Sequence, residues 1–141
     1  MSLLGIDHVD MRVPALGVVE KFYDAFAARL GLSEKRYAHV EFGGASWRDA
    51  TPDDHNAVEY YEPRVPGSAR LFFGVIEEPS AQPARSRVAF TVPEDELDEW
   101  ERLLRQIGAR EIERGDPDYP AVFFTDPLGT RLEVCARRPS P

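Results

Sequence analysis

Three side chains of different chemistry stand out in this sequence: His8, Arg87 and Glu133. Glu133 lies in "RLEVCA", where Leu132, Val134 and Ala136 share one face of a strand and Arg131, Glu133 and Cys135 share the other. His8 lies in "HVDMRV", whose alternation leaves His8, Asp10 and Arg12 opposite Val9, Met11 and Val13. Arg87 opens "RVAFTV", with Ala89 and Thr91 on its side and Val88, Phe90 and Val92 on the other. An imidazole beside a carboxylate exchanges a hydrogen bond. A guanidinium either pairs with that carboxylate as a salt bridge or grips an anionic group of a ligand through two parallel hydrogen bonds. The three act together only if their strands turn these faces to one cleft.

The elements that must position them come in two similar sets. The spacing predicts strands over 5–13, 36–42, 57–62 and 69–76, and a helix over 17–30 that stops at Gly31. A Pro-rich stretch, "EEPSAQPARS", separates this set from the next. The order then restarts with "RVAFTV" as a strand and "PEDELDEWERLLRQIG" as a helix whose acidic first turn suits the helix dipole. Strands over 110–114, 120–125 and 130–136 follow. Each set reads βαβββ. Residues 1–78 form the first module, 79–86 the linker and 87–141 the second, within one compact domain.

The predicted fold class is therefore α+β: two tandem βαβββ modules forming a curved mixed sheet around a cleft, with helices on the outer face. Alternation puts Ala38, Val40 and Phe42 inward and Tyr37, His39 and Glu41 away. It likewise puts Leu71, Phe73 and Val75 inward, with Arg70, Phe72 and Gly74 opposite. Ligand sites are mostly apolar with a few placed polar groups. Tyr37, Tyr61, Phe72 and Trp47 are accordingly expected as walls, with Arg70 and Arg87 as ligand-binding cations. Trp100 belongs to the helix's apolar stripe, and His55 is expected as a solvated loop residue.

Composition limits the function classes. The chain has 141 residues, 17 basic and 25 acidic, for a net charge of −8. Nucleic-acid binding needs clustered Lys and Arg on phosphates, so that balance argues against it. No apolar run reaches the roughly 20 residues of a membrane span. A single cysteine, Cys135, excludes an internal disulfide and a Cys-based zinc site. The absence of a basic leader ahead of an apolar segment adds to the expectation of a cytoplasmic protein. Cys135 has no strong activating base and is not expected to be a nucleophile. "GGAS" has no helix after it and makes no phosphate loop.

"IDHVDMRV", the helix with "FYDAFAARLGL", "RVAFTV" and "FFTDPLGTRLEV" together resemble the vicinal oxygen chelate superfamily. That group includes glyoxalase I, extradiol dioxygenases, fosfomycin-resistance enzymes and bleomycin-resistance proteins. The resemblance implies paired modules cupped around one divalent ion (Fe, Mn, Ni or Zn), with His8 and Glu133 as metal ligands. Arg87 stands where the family often has a histidine, and Phe72 where glyoxalase I-like members have a glutamate. A guanidinium stays protonated and cannot ligate. The triad is thus incomplete, with His39 or Glu41 as a third donor if their strand curls inward, and Glu59 and Tyr61 behind them. Two functions follow. One is a glyoxalase- or dioxygenase-like enzyme, a divalent-metal lyase or dioxygenase acting on a substrate with vicinal oxygens. The other is a non-catalytic, metal-free binder that sequesters an aromatic or cationic compound, as bleomycin-resistance proteins do. In both, the partner is a small molecule and a homodimer is expected. The linker lets the modules pair within a chain or swap between two.

Overall fold

The computed structural model describes residues 1–41 and 46–137. The first module contains β1 (His8–Val13), α1 (Leu16–Leu30), β2 (Glu34–Glu41), β3 (Ser46–Asp49), β4 (Ala57–Tyr61) and β5 (Phe72–Glu77). The second contains β6 (Val88–Thr91), a 3-10 turn at Glu94–Glu96 leading into α2 (Leu97–Ile107), β7 (Arg110–Arg114), β8 (Ala121–Thr125) and β9 (Arg131–Cys135). The α+β architecture and the repeated βαβββ order are as expected. The short β3, inside a segment expected to be loop, is an addition that pairs with β2. The inward position expected for Phe42 lies outside the described residues.

Each helix forms because its apolar residues recur at helical spacing. Leu16, Val19, Phe22, Tyr23, Phe26 and Ala27 are the buried stripe of α1; Leu97, Trp100 and Leu104 are that of α2. Both helices end on a left-handed glycine, Gly31 at φ 83° and Gly108 at φ 96°, a conformation that a Cβ would strain. The first turn of α1 has no side-chain cap of its own. Glu77, at the end of β5, accepts from the Leu16 N–H at 2.9 Å and places a negative charge at the helix's positive end.

The strands form two sheets, ordered β1-β5-β4-β2-β3 and β6-β9-β8-β7. The opening strand of each module lies parallel to its closing strand, a pairing that requires the helical crossover. The helix-side faces of both sheets meet in one core. Phe26 of α1 packs edge-on against Phe90 of β6 at 5.5 Å and against Phe124 of β8 at 5.6 Å. Phe73 of β5 touches Phe90 at 5.5 Å. The polar faces therefore lie on the far side of each sheet from this shared core. Among the described residues no ladder joins the edge strands β1 and β6. An apolar cavity of about 680 Å³ is lined by residues of both and of the segments before β1 and β5, Ile6, Val9, Leu71, Val88 and Phe90 among others.

One face assignment is reversed. Tyr37 packs against the shared core and edge-on to His55, while Ala38 clusters with Ala57 and Ile76 on the opposite face. The helix accounts for this. Glu20 and Asp24 of α1 draw Lys35 onto the helix side, and alternation carries Tyr37 and His39 with it. His55 is held as well, its Nε2 2.7 Å from Glu20, and is not the solvated residue expected.

Candidate functional site

The polar face of the first module carries His8 and Asp10 from β1, Phe72 and Gly74 from β5, and Glu59 and Tyr61 from β4. His8 pairs with Phe72, and Asp10 with Gly74, which pairs in turn with Glu59. The His8 ring stacks on Phe72 at 4.4 Å, and Phe72 stacks on Tyr61 at 4.7 Å. Arg36 and Arg70 lie over Tyr61 at 4.7 and 4.6 Å, and both pair with Glu34. Of the residues expected to bind ligand, Tyr61, Phe72 and Arg70 are thus brought together, with Arg36 added. Tyr37 is not among them, being on the helix side.

His8 Nδ1 is 2.6 Å from Asp7 and Nε2 is 3.6 Å from Asp10. The hydrogen bond to Asp7 is the main cause holding the imidazole above its ordinary pKa. Asp10 leans over Gly74: a Cβ at residue 74 would lie 2.3 Å from its Oδ1 and would push the carboxylate aside. In parallel register Asp10 is to Gly74 as Ala89 is to Glu133. The first-module counterpart of Glu133 is therefore Gly74, not Phe72, and the Asp10 carboxylate fills its place.

Glu59, 7% exposed, accepts from the Tyr61 hydroxyl at 3.0 Å. Burial pushes its carboxyl up, the Tyr61 hydrogen bond pulls it back, and the Asp10 charge adds to the rise. A raised folded pKa means that stability is lost as pH climbs from the ordinary carboxyl value through the folded one, and the loss persists at neutral pH. Glu59→Gln keeps an acceptor for Tyr61. It is expected to unfold at higher denaturant than wild type near neutral pH and to lose that advantage at acidic pH, where the wild-type Glu59 is protonated in the folded and unfolded states alike.

The polar face of the second module carries Glu133, 5% exposed. Its neighbours in register are Ala89 and Phe123. The expected salt bridge to Arg87 does not form: Glu133 accepts from the Tyr119 hydroxyl at 2.8 Å, and the Arg87 guanidinium lies on the Phe123 ring at 4.7 Å. A flat cation rests favourably on an aromatic face, which accounts for the choice. The bond to Glu133 pushes the Tyr119 phenol up to about 12. Burial and the Glu133 charge push the Cys135 thiol up, the opposite of what a nucleophile needs.

His8 and Glu133 thus stand on the polar faces of different sheets. Among the described residues no three His, Cys, Asp or Glu side chains close on a point that could hold a metal. His39 lies on the face opposite Ala38, with its Nδ1 3.0 Å from the Asp54 carbonyl. The residues missed from sequence are Asp10, Tyr119, Phe123 and Arg131. Asp10 had a signal in its place on the polar face of β1. Tyr119 had none, because it reaches Glu133 from a turn. No helix among the described residues is long and apolar enough to cross a membrane.

No protein-family model matches the chain, and the comparison with curated proteins found no match. Solved structures do match. Fosfomycin resistance protein FosX from Listeria monocytogenes, complexed with Mn(II) and sulfate, is 18% identical with a TM-score of 0.60 over 97% of this chain and 95% of that one. FosX from Mesorhizobium loti is 14% identical with a TM-score of 0.58, over 97% and 94%. A glyoxalase/bleomycin resistance protein from Albidiferax ferrireducens is 24% identical with a TM-score of 0.61, over 94% and 98%.

Proposed function

We propose that this chain, which has the vicinal oxygen chelate fold shared with those proteins, is a small-molecule enzyme whose site is completed by a second copy of itself. The first-module face of one copy would meet the second-module face of the other. The observation that carries the reading is the division of donors: His8 and Asp10 on one polar face, Glu133 on the other, with one core between the sheets. The donor types suit a divalent cation, since imidazole and carboxylates are its usual protein ligands. The missing third donor is then Asp10 and not His39. Arg87 supplies none and is left to contact ligand.

The chain's own residues prepare this set. Asp7 fixes the His8 ring through Nδ1 and leaves Nε2 facing Asp10, as a carboxylate behind a metal-binding histidine commonly does. Tyr119 holds one oxygen of Glu133 and so fixes how the carboxylate is turned. Glu59, beside Asp10 and held by the Tyr61 hydroxyl, has a carboxyl raised by burial above its ordinary value. When bound, the ion would act as a Lewis acid on a substrate with two neighbouring oxygens. This favours the lyase or dioxygenase reading.

The test is elemental analysis of tag-free protein reloaded with Mn, Fe, Co, Ni or Zn. Near-stoichiometric metal that is lost in both His8→Ala and Glu133→Ala is the expected result. No metal under any loading would move the function to the metal-free binder, in which the same faces hold a compound through Tyr61, Phe72 and Arg87.

A further inference from the structure

The second-module face holds an arrangement that the metal donors do not use. β6 and β9 are parallel with Val88 beside Leu132. Arg87 immediately precedes β6 and Arg131 opens β9, so an arginine stands at the start of each of the two paired strands. Like charges placed side by side across two strands repel. Yet among the described residues no carboxylate comes within ion-pairing distance of either guanidinium. Arg87 lies on Phe123, and Arg131 donates only to the Arg85 carbonyl, at 3.1 Å. Both line one cavity of about 400 Å³ with Phe123, Thr125, Glu111 and Glu113.

The rim of that cavity is strained. Glu111 is the one residue other than glycine with a positive φ among the described residues, at 50°. It sits where the β7–β8 register shifts between Arg110 and Glu113. A bulge of this kind re-aims side chains and persists only where its surroundings hold it. Here it shapes the wall facing the two arginines.

We propose that Arg87 and Arg131 form an oxyanion clamp that takes the phosphate, phosphonate or carboxylate group of the small molecule. This deepens the proposed function by naming the ligand's charge, and it rests on the second-module face being the binding face. Two guanidiniums present parallel N–H donors that match an oxyanion's geometry. Their mutual repulsion is relieved when an anion enters between them. The clamp is two residues along β9 from Glu133, so a ligand anchored there extends toward that carboxylate.

The test uses inorganic phosphate on EDTA-treated protein, with melting temperature followed at constant ionic strength. A ligand that binds only the folded state raises that temperature in a saturable way. Wild type is expected to show this rise, with the phosphate dissociation constant weakened at least about tenfold in Arg87→Gln and in Arg131→Gln. Arg105→Gln, on the surface of α2, is expected to match wild type. Arg87→Lys and Arg131→Lys keep the charge and serve if a glutamine variant does not fold; they are expected to weaken binding less. No saturable rise, a rise reproduced by sodium chloride, or an undiminished response in the Arg87 and Arg131 variants would overturn the clamp. Because metal is absent throughout, phosphate binding without metal binding sinks only the metal reading. Metal binding without phosphate binding sinks only the clamp.

Discussion

Refolding His8→Ala and Glu133→Ala together is expected to restore about a quarter of the wild-type metal content, although neither variant alone holds any. The figure follows from symmetry. If each site takes His8 and Asp10 from one copy and Glu133 from the other, a mixed dimer has one intact site and one that lacks both ligands; random pairing makes about half the dimers mixed, and half of their sites work. Sites built within a single chain would recover nothing, because every chain would carry one lesion in its own site. Size-exclusion and metal analysis of the mixed sample, beside each variant refolded alone, decides between the two. A null result with metal lost in both single variants would place the donors in one chain and require the two sheets to rearrange.

Asp126→Ala is expected to destabilise the protein by about 3–5 kcal/mol, as measured by urea denaturation. Asp126 is fully buried and opens the "DPLG" turn between β8 and β9. Its Oδ2 accepts from the Tyr23 hydroxyl of α1 at 2.6 Å. Its Oδ1 accepts from the Leu128 and Thr130 N–H groups at 2.8 and 2.9 Å. The truncation strands three donors, one of which comes from the other module, and an unsatisfied buried donor forfeits its full desolvation. Tyr23→Phe removes one donor and leaves Asp126 its two backbone partners, so a smaller loss of about 1–2 kcal/mol is expected. Burial and the Asp126 charge push the Tyr23 phenol far above its ordinary range, so this bond lasts through the physiological range of pH. If Asp126→Ala costs no more than Tyr23→Phe, the turn does not depend on the carboxylate.

Much of this was legible in the sequence because the period-2 and period-3.6 patterns are strong. The succession of strands and helices along the chain, apart from the short β3, and the glycine stops of both helices follow from spacing. The "DPLG" motif was visible, but its use was not: the link from Tyr23 to Asp126 spans 103 residues. Tyr37 went to the wrong face because Lys35, drawn to Glu20 and Asp24, sets which side of β2 meets the helix, and alternation alone carries no such sign. The salt bridge between Arg87 and Glu133, one of the two roles open to Arg87, rests only on a shared face. The structure shows Phe123 and Tyr119 taking one each, and Tyr119 comes from a turn where no periodicity operates. Asp10 was seen on its strand. Its importance depended on Gly74, whose missing side chain has meaning only once the register is known.

The two modules share one interior but keep separate polar faces, and this divides what selection can change. A substitution at Phe26, Phe73 or Phe90 is felt by both halves at once, since these rings touch across the boundary. A substitution at His8, Gly74, Ala89 or Glu133 is felt by one face only. A duplicated chain built this way can exchange one ligand-contacting residue for another, half by half, without renegotiating its packing. The present unevenness of the repeat is the kind of record such a history leaves: a glycine with a leaning aspartate on one side, and a glutamate held by a tyrosine from a turn on the other.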